Sequence, residues 1–161
     1  MPARRRDQGA ARSASSRASG EQLPWAIIYY RAPDGTVPAL GFLDNCPGKI
    51  DAEFTAVLDA VAAAPPPRFS GGGKREAMHG AMGGWHEVRL TGPGREQLRL
   101  FCLLENGTDD ELARRGLPRS AIAVITGMRK PWRTTFAERD YQRVRGLGDE
   151  HRRNFPRRIA T

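Results

Sequence analysis

The sequence predicts an α+β fold built in the order strand, helices, three strands and a final helix. Three features lead there. An aromatic and β-branched run, Trp25 to Arg31, has strand composition; Ile50, Phe54, Val57, Leu58 and Val61 recur at helical spacing; and two alternating runs, Trp85 to Leu90 and Glu96 to Leu104, flank a Gly-Pro-Gly turn. A chain of 161 residues holds one core and is too short for two ordinary domains.

Residues 1–20 hold five Arg among Ala, Ser, Gly and Gln, with no large apolar residue after Met1. Such a segment buries too little to offset the entropy of ordering, so it is expected to be a disordered basic tail ahead of a folded domain over 21–161. The first strand is closed by Ala32-Pro33-Asp34-Gly35. A short helix over Val37 to Asp44 and, after the break at Pro47-Gly48, an amphipathic helix follow. Pro65-Pro66-Pro67 ends that helix, because proline lacks the amide proton and clashes with the preceding turn, and Ser70 to Gly73 form a flexible loop.

Strand side chains alternate between faces. Leu98, Leu100, Cys102 and Leu104 therefore share one side of the second hairpin strand, the side expected against the helices, and Arg99, Phe101 and Leu103 share the other. On the first hairpin strand Val88 and Leu90 lie with His86, and Glu87 and Arg89 with Trp85. Pairing apolar with apolar places Glu87, Arg89 and Arg99 on one outer sheet face beside Trp85 and Phe101. Residues 105–119 are polar and broken by Gly and Pro, as expected of a surface connection. Ala121 to Thr126 is apolar without alternation, the pattern of a strand covered on both faces, and it delivers Gly127-Met128-Arg129-Lys130-Pro131-Trp132-Arg133 at its end. Thr135 and Glu138 have capping-box spacing, and Tyr141, Val144 and Leu147 form one stripe of a last helix that Gly146 and Gly148 weaken. Arg152, Arg153, Arg157 and Arg158 are expected at a solvated, partly frayed end.

Lys and Arg total 26 against 18 Asp and Glu, a net charge of +8, and most of the cations are Arg. The guanidinium fork matches phosphate geometry, so the balance favours a phosphate-bearing partner over charge kept for solubility alone. Cys46 and Cys102 lie far apart with no His cluster at ligand spacing, which argues against a zinc site and for reduced thiols. No run of about eighteen apolar residues is present to span a bilayer, and no apolar segment follows the basic start, so a cytoplasmic, non-membrane protein is expected.

The order of elements, together with Met78-His79-Gly80, Gly84-Trp85-His86-Glu87-Val88-Arg89, Arg99-Leu100-Phe101 and Ile125-Thr126-Gly127-Met128-Arg129-Lys130, resembles the RelE/HigB toxin superfamily, in particular its phage-derived branch, over about residues 24–155. The resemblance implies a small curved, mostly antiparallel sheet with N-terminal helices packed on one face and a C-terminal helix. It implies the toxin of a type II toxin–antitoxin pair that cleaves messenger RNA on the ribosome without metal or small-molecule cofactor, held in check by a helix-turn-helix antitoxin. Cleavage by attack of the ribose 2′-hydroxyl on the adjacent phosphate needs a proton acceptor, stabilisation of the equatorial oxygens and a donor to the leaving oxygen. By motif, Arg89 and Arg99 correspond to the sheet arginines that clamp phosphate, and Lys130 and Arg129 to the basic cluster after the last strand, with Arg133 beyond them.

Two acceptors compete. Lys130 is one if neighbouring arginines lower its pKa; Glu87, held ionised by two guanidiniums, is the other, unless it serves only as an ion-pair spacer orienting Arg89. Trp85 is placed either to stack on a base or to pack the sheet edge. The chain departs from the family where many members carry a His or Tyr after the last strand or at the chain end, since Met128-Arg129-Lys130-Pro131-Trp132 stands in the corresponding stretch. Tyr141 is expected to face the core, and His79 and His86 to be structural. A non-catalytic nucleic-acid or partner-binding module, or a gyrase inhibitor of the related ParE branch, would use the same fold.

Overall fold

The computed structural model describes residues 23–65 and 74–161. The tail expected over 1–20 and the loop expected over 70–73 lie outside the described residues. The described chain runs β1 (Ala26–Tyr30), α1 (Pro38–Asp44), α2 (Gly48–Ala63), β2 (Arg75–Ala77), β3 (Trp85–Thr91), β4 (Gln97–Glu105), α3 (Asp109–Arg114), β5 (Ala121–Lys130), α4 (Glu138–Arg153) and β6 (Ile159–Ala160). The strands form one open sheet in the order β2-β3-β4-β5-β1-β6. Every neighbouring pair is antiparallel except β1 with β5. The fold is thus α+β with a mostly antiparallel sheet.

Alternation decides what each face buries. On one side Val88, Leu90, Leu98, Leu100, Cys102, Ile122 and Val124 pack against Ala39 and Leu43 of α1 and Ile50, Phe54, Val57, Leu58 and Val61 of α2. Phe54 is fully buried there, and a side chain of that kind contributes about 1.5–3 kcal/mol on burial. The close approach of α1 depends on Gly127: a Cβ at that position would lie 2.2 Å from the Phe42 ring. Burial pushes the Cys102 thiol up to about 12, which makes it a small apolar group in this layer.

The opposite face is half covered. Trp85, Phe101, Leu103, Ala123 and Ile125 form a second core layer with Val144 of α4 and with Leu112 and Leu117. The sequence placed Trp85 and Phe101 on an outer face; both are buried beneath α4. Gly148 is the reason the helix comes so near, since a Cβ there would lie 2.3 Å from the Trp85 indole, whereas one at Gly146 meets nothing within 4 Å. The sequence counted Gly148 only as a helix-weakening residue; its smallness is what lets α4 close over the tryptophan.

Two connections differ from expectation. Residues 105–119 are more than a surface link: Thr108 caps α3 through the Glu111 N–H and Glu111 returns a bond to the Thr108 N–H at 2.8 Å. The chain end is not frayed, because β6 adds to β1 and Arg157 is buried against Glu105 at 3.2 Å. The α4 cap also moves. The helix begins at Glu138, and Asp140 reaches back to accept the Ala137 N–H at 2.8 Å, which replaces the expected Thr135 and Glu138 box.

His86 accepts a hydrogen bond at Nδ1 from Arg75 of β2, and burial together with that guanidinium lowers its pKa from 6.5 to about 4. The neutral ring is favoured in the native state, so the unfolded chain binds more protons between these values. Stability is therefore expected to fall as pH drops from 6.5 toward 4, by on the order of 1 kcal/mol after allowing for the half-open site, and a His86→Gln variant should lose that slope. Urea midpoints across this range measure it.

Candidate functional site

A β-bulge sets the site. The β4–β5 register runs Phe101 to Thr126 and then Cys102 to Val124, so Ile125 is an extra residue on β5. Before it Ala121, Ala123 and Ile125 share the α4 face; after it that face belongs to Met128, opposite Arg99, and to Lys130, opposite Gln97. The bulge therefore brings Lys130 to the Arg99 side and turns Arg129 away. Arg129 points to the α1 face, where it pairs with Glu96 and donates to the Asn45 carbonyl at 3.3 Å. The sequence grouped Arg129 with Lys130; adjacent strand residues face opposite ways, and the structure separates them.

On the uncovered half of the α4 face Arg89 and Arg99 stand directly opposite each other on β3 and β4. Two like charges in that register repel, and Glu87 lies between them, 3.8 Å from Arg89 Nε and 4.0 Å from Arg99 Nε. Arg99 is fixed further: it donates to the Leu98 carbonyl at 3.1 Å and to Gln97 Oε1 at 3.0 Å, and its guanidinium lies 5.8 Å from the Phe136 ring centre. Arg89 is more open and also meets Glu76 of β2 at 2.9 Å. Lys130 meets Asp140 at 3.4 Å. Three cations of this face are thus each matched by a carboxylate from β2, β3 or α4.

The electrostatics shift the roles. Burial raises the Glu87 carboxyl above the ordinary carboxylate range and outweighs the opposing pull of Arg99 and Arg89, where the sequence expected it to be held ionised. Lys130 is paired with Asp140, whereas Glu87 lies between the two facing arginines, so Glu87 is the better placed acceptor. Tyr141, expected in the core, packs edge-on against Phe101 at 6.2 Å, yet its hydroxyl lies within electrostatic reach of Glu87 and Arg99; burial and Glu87 raise its pKa. Trp85 offers no face to a base, being buried under α4. His86 belongs to the other face and His79 precedes the short turn at Gly80–Met82.

A second cluster lies at the sheet end, where the sequence pointed to Arg129, Lys130 and Arg133 but not to Arg95 or an aromatic partner. Pro93 to Glu96 form a hairpin turn with Gly94 at φ 65° and Arg95 at φ 60°. Pro131 to Thr134 form a turn between β5 and α4, closed by the Thr134 N–H on the Pro131 carbonyl at 3.2 Å, with Arg133 at φ 64°. Gln97 joins the two by donating to the Thr134 carbonyl at 2.6 Å. Trp132, 47% exposed, has the Arg133 and Arg95 guanidiniums 4.4 and 4.7 Å from its ring centre. A cleft of about 300 Å³ between the turns is lined by Pro93, Gly94, Glu96, Arg129, Lys130, Pro131 and Trp132.

Left-handed backbone costs a side-chain-bearing residue about 1–2 kcal/mol that glycine does not incur. Arg95→Gly is therefore expected to be more stable than Arg95→Ala by about 1 kcal/mol, because both lose the indole contact and only one keeps the strain. Equal urea midpoints would contradict a strained turn.

No protein-family model matches the chain, and comparisons with curated proteins and with solved structures likewise find no match.

Proposed function

We propose that this chain is a RelE/HigB-type toxin that cuts messenger RNA on the ribosome at the face formed by Glu87, Arg89, Arg99 and Lys130. The observation that supports it is the Arg89–Glu87–Arg99 arrangement: two forked cations opposed across a hairpin with an acceptor of raised pKa between them. In this reading Glu87 takes the proton of the ribose 2′-hydroxyl, the oxygen attacks the adjacent phosphorus, and Arg99 and Arg89 hold the equatorial oxygens. Lys130 and Tyr141, on the same face, are the available donors to the leaving 5′-oxygen. The protein would act in the cytoplasm and be neutralised by a helix-turn-helix antitoxin.

The carboxylate partners favour a second reading, a non-catalytic RNA-binding module. Magnitudes weigh against it. The Arg89–Glu76 pair is exposed on both sides, and such pairs contribute only about 0–1 kcal/mol, so a phosphate displaces Glu76 at small cost. Induced expression should stop growth and fragment messages, and Arg89→Ala combined with Arg99→Ala should abolish both. Growth arrest with intact messages and DNA-damage signalling would instead mark a gyrase poison, and full toxicity of the double variant would discard the assigned face.

A further inference from the structure

We propose that Trp132, with Arg95 and Arg133, is a stacking subsite for a base of single-stranded RNA, separate from the Arg89–Arg99 face and reached through the cleft at the sheet end; this rests on the RNA reading above. Trp132 and Phe155 are the large apolar side chains left exposed among the described residues, and each carries two guanidiniums. They differ in what those guanidiniums do. Over Phe155, Arg157 is committed to Glu105. Over Trp132, neither Arg95 nor Arg133 makes an ion pair among the described residues, in contrast to Arg89, Arg99, Arg129 and Lys130, each of which does.

Unneutralised guanidiniums resting on an exposed indole are chemically specific. An aromatic face accepts any base, and the arginines supply phosphate contacts on either side of it. A base entering the cleft replaces one guanidinium on the ring, and the freed fork takes the neighbouring phosphate. Both arginines sit at left-handed backbone positions in turns that Gln97 ties together, so the clamp is set by backbone geometry and not by a flexible arm. Lys130 lines the cleft and pairs with Asp140 beside the sheet face, which makes the two regions continuous. A strand stacked at Trp132 would thus run on toward Arg99.

The test is binding of a labelled 2′-O-methyl oligo(A) of about eight nucleotides, within the span such clamps cover and unable to undergo 2′-hydroxyl attack. Trp132→Ala should weaken binding about 5- to 100-fold and Trp132→Phe less, and an abasic oligomer of equal length should bind both wild type and Trp132→Ala weakly and alike. Circular dichroism checks that the variants fold, and Arg95→Gly provides a second route to the same loss. Unchanged affinity in Trp132→Ala, or an acidic peptide bound as tightly as the oligomer, overturns the subsite. If wild type still cuts messages on ribosomes while Trp132→Ala binds normally, the subsite alone is wrong; if wild type neither binds nor cuts RNA, the RNA reading fails and takes the subsite with it.

Discussion

Replacing Glu105 by Ala is expected to cost about 3–5 kcal/mol, enough to remove most of a typical domain's stability. Glu105 closes β4 in a buried position, and three groups converge on its carboxylate: Arg157 Nε, His151 Nε2 and Arg115 Nη1, each at 3.2 Å. Burial alone would push its pKa up; the bond from His151 and the charge of Arg157 outweigh burial and hold it below the ordinary value. The carboxylate thus supports the native state above pH 4.5, and that support is lost as pH falls through the lowered value. Truncation leaves the Arg157 guanidinium buried without its counter-charge and His151 Nε2 without its partner, which is the expensive half of breaking such a pair. Glu105→Gln keeps an acceptor and should cost about 1–3 kcal/mol. Thermal midpoints measure both, and a Glu105→Ala midpoint within about two degrees of wild type would contradict the anchoring role.

Under the proposed RNA cleavage, Arg99→Ala is expected to slow the reaction by about 10²–10³-fold, the loss typical of one fixed donor to a developing oxyanion. Its guanidinium is pre-positioned by Gln97, the Leu98 carbonyl and Glu87, so little ordering is left for the reaction to supply. Arg99→Lys should recover only part of that rate, because an ammonium restores charge but not the fork. Glu87→Gln separates the acceptor role from the spacer role. If Glu87 takes the proton, wild-type activity rises with pH through a midpoint above the ordinary carboxylate value, since its pKa is raised, and the Gln variant loses that rise together with the rate. A Gln variant with wild-type rate and profile would make Glu87 a spacer.

How far the sequence could be read depended on distance along the chain. The hairpin register was legible, because Val88 and Leu90 had to meet Leu100 and Leu98, and that local constraint alone puts Arg89 opposite Arg99. The split of Arg129 from Lys130 was not, since Ala121 to Ile125 is apolar on both faces and its pattern carries no parity from which to see the bulge. Trp85 looked exposed because its cover comes from Gly148, a residue whose importance is the side chain it lacks. Glu105 with Arg157, and Arg95 with Trp132, are contacts between segments remote in sequence, each polar or turn-like by itself. Glu76 was hidden for a different reason: β2 is three residues long and too short to show a period.

The most direct measurement maps the ends of a reporter message after purified protein meets translating ribosomes. Attack by the 2′-hydroxyl predicts fragments that end in a 2′,3′-cyclic phosphate and begin with a 5′-hydroxyl, absent from the Arg89→Ala, Arg99→Ala variant. An uncut message, or fragments beginning with a 5′-phosphate, would contradict the account.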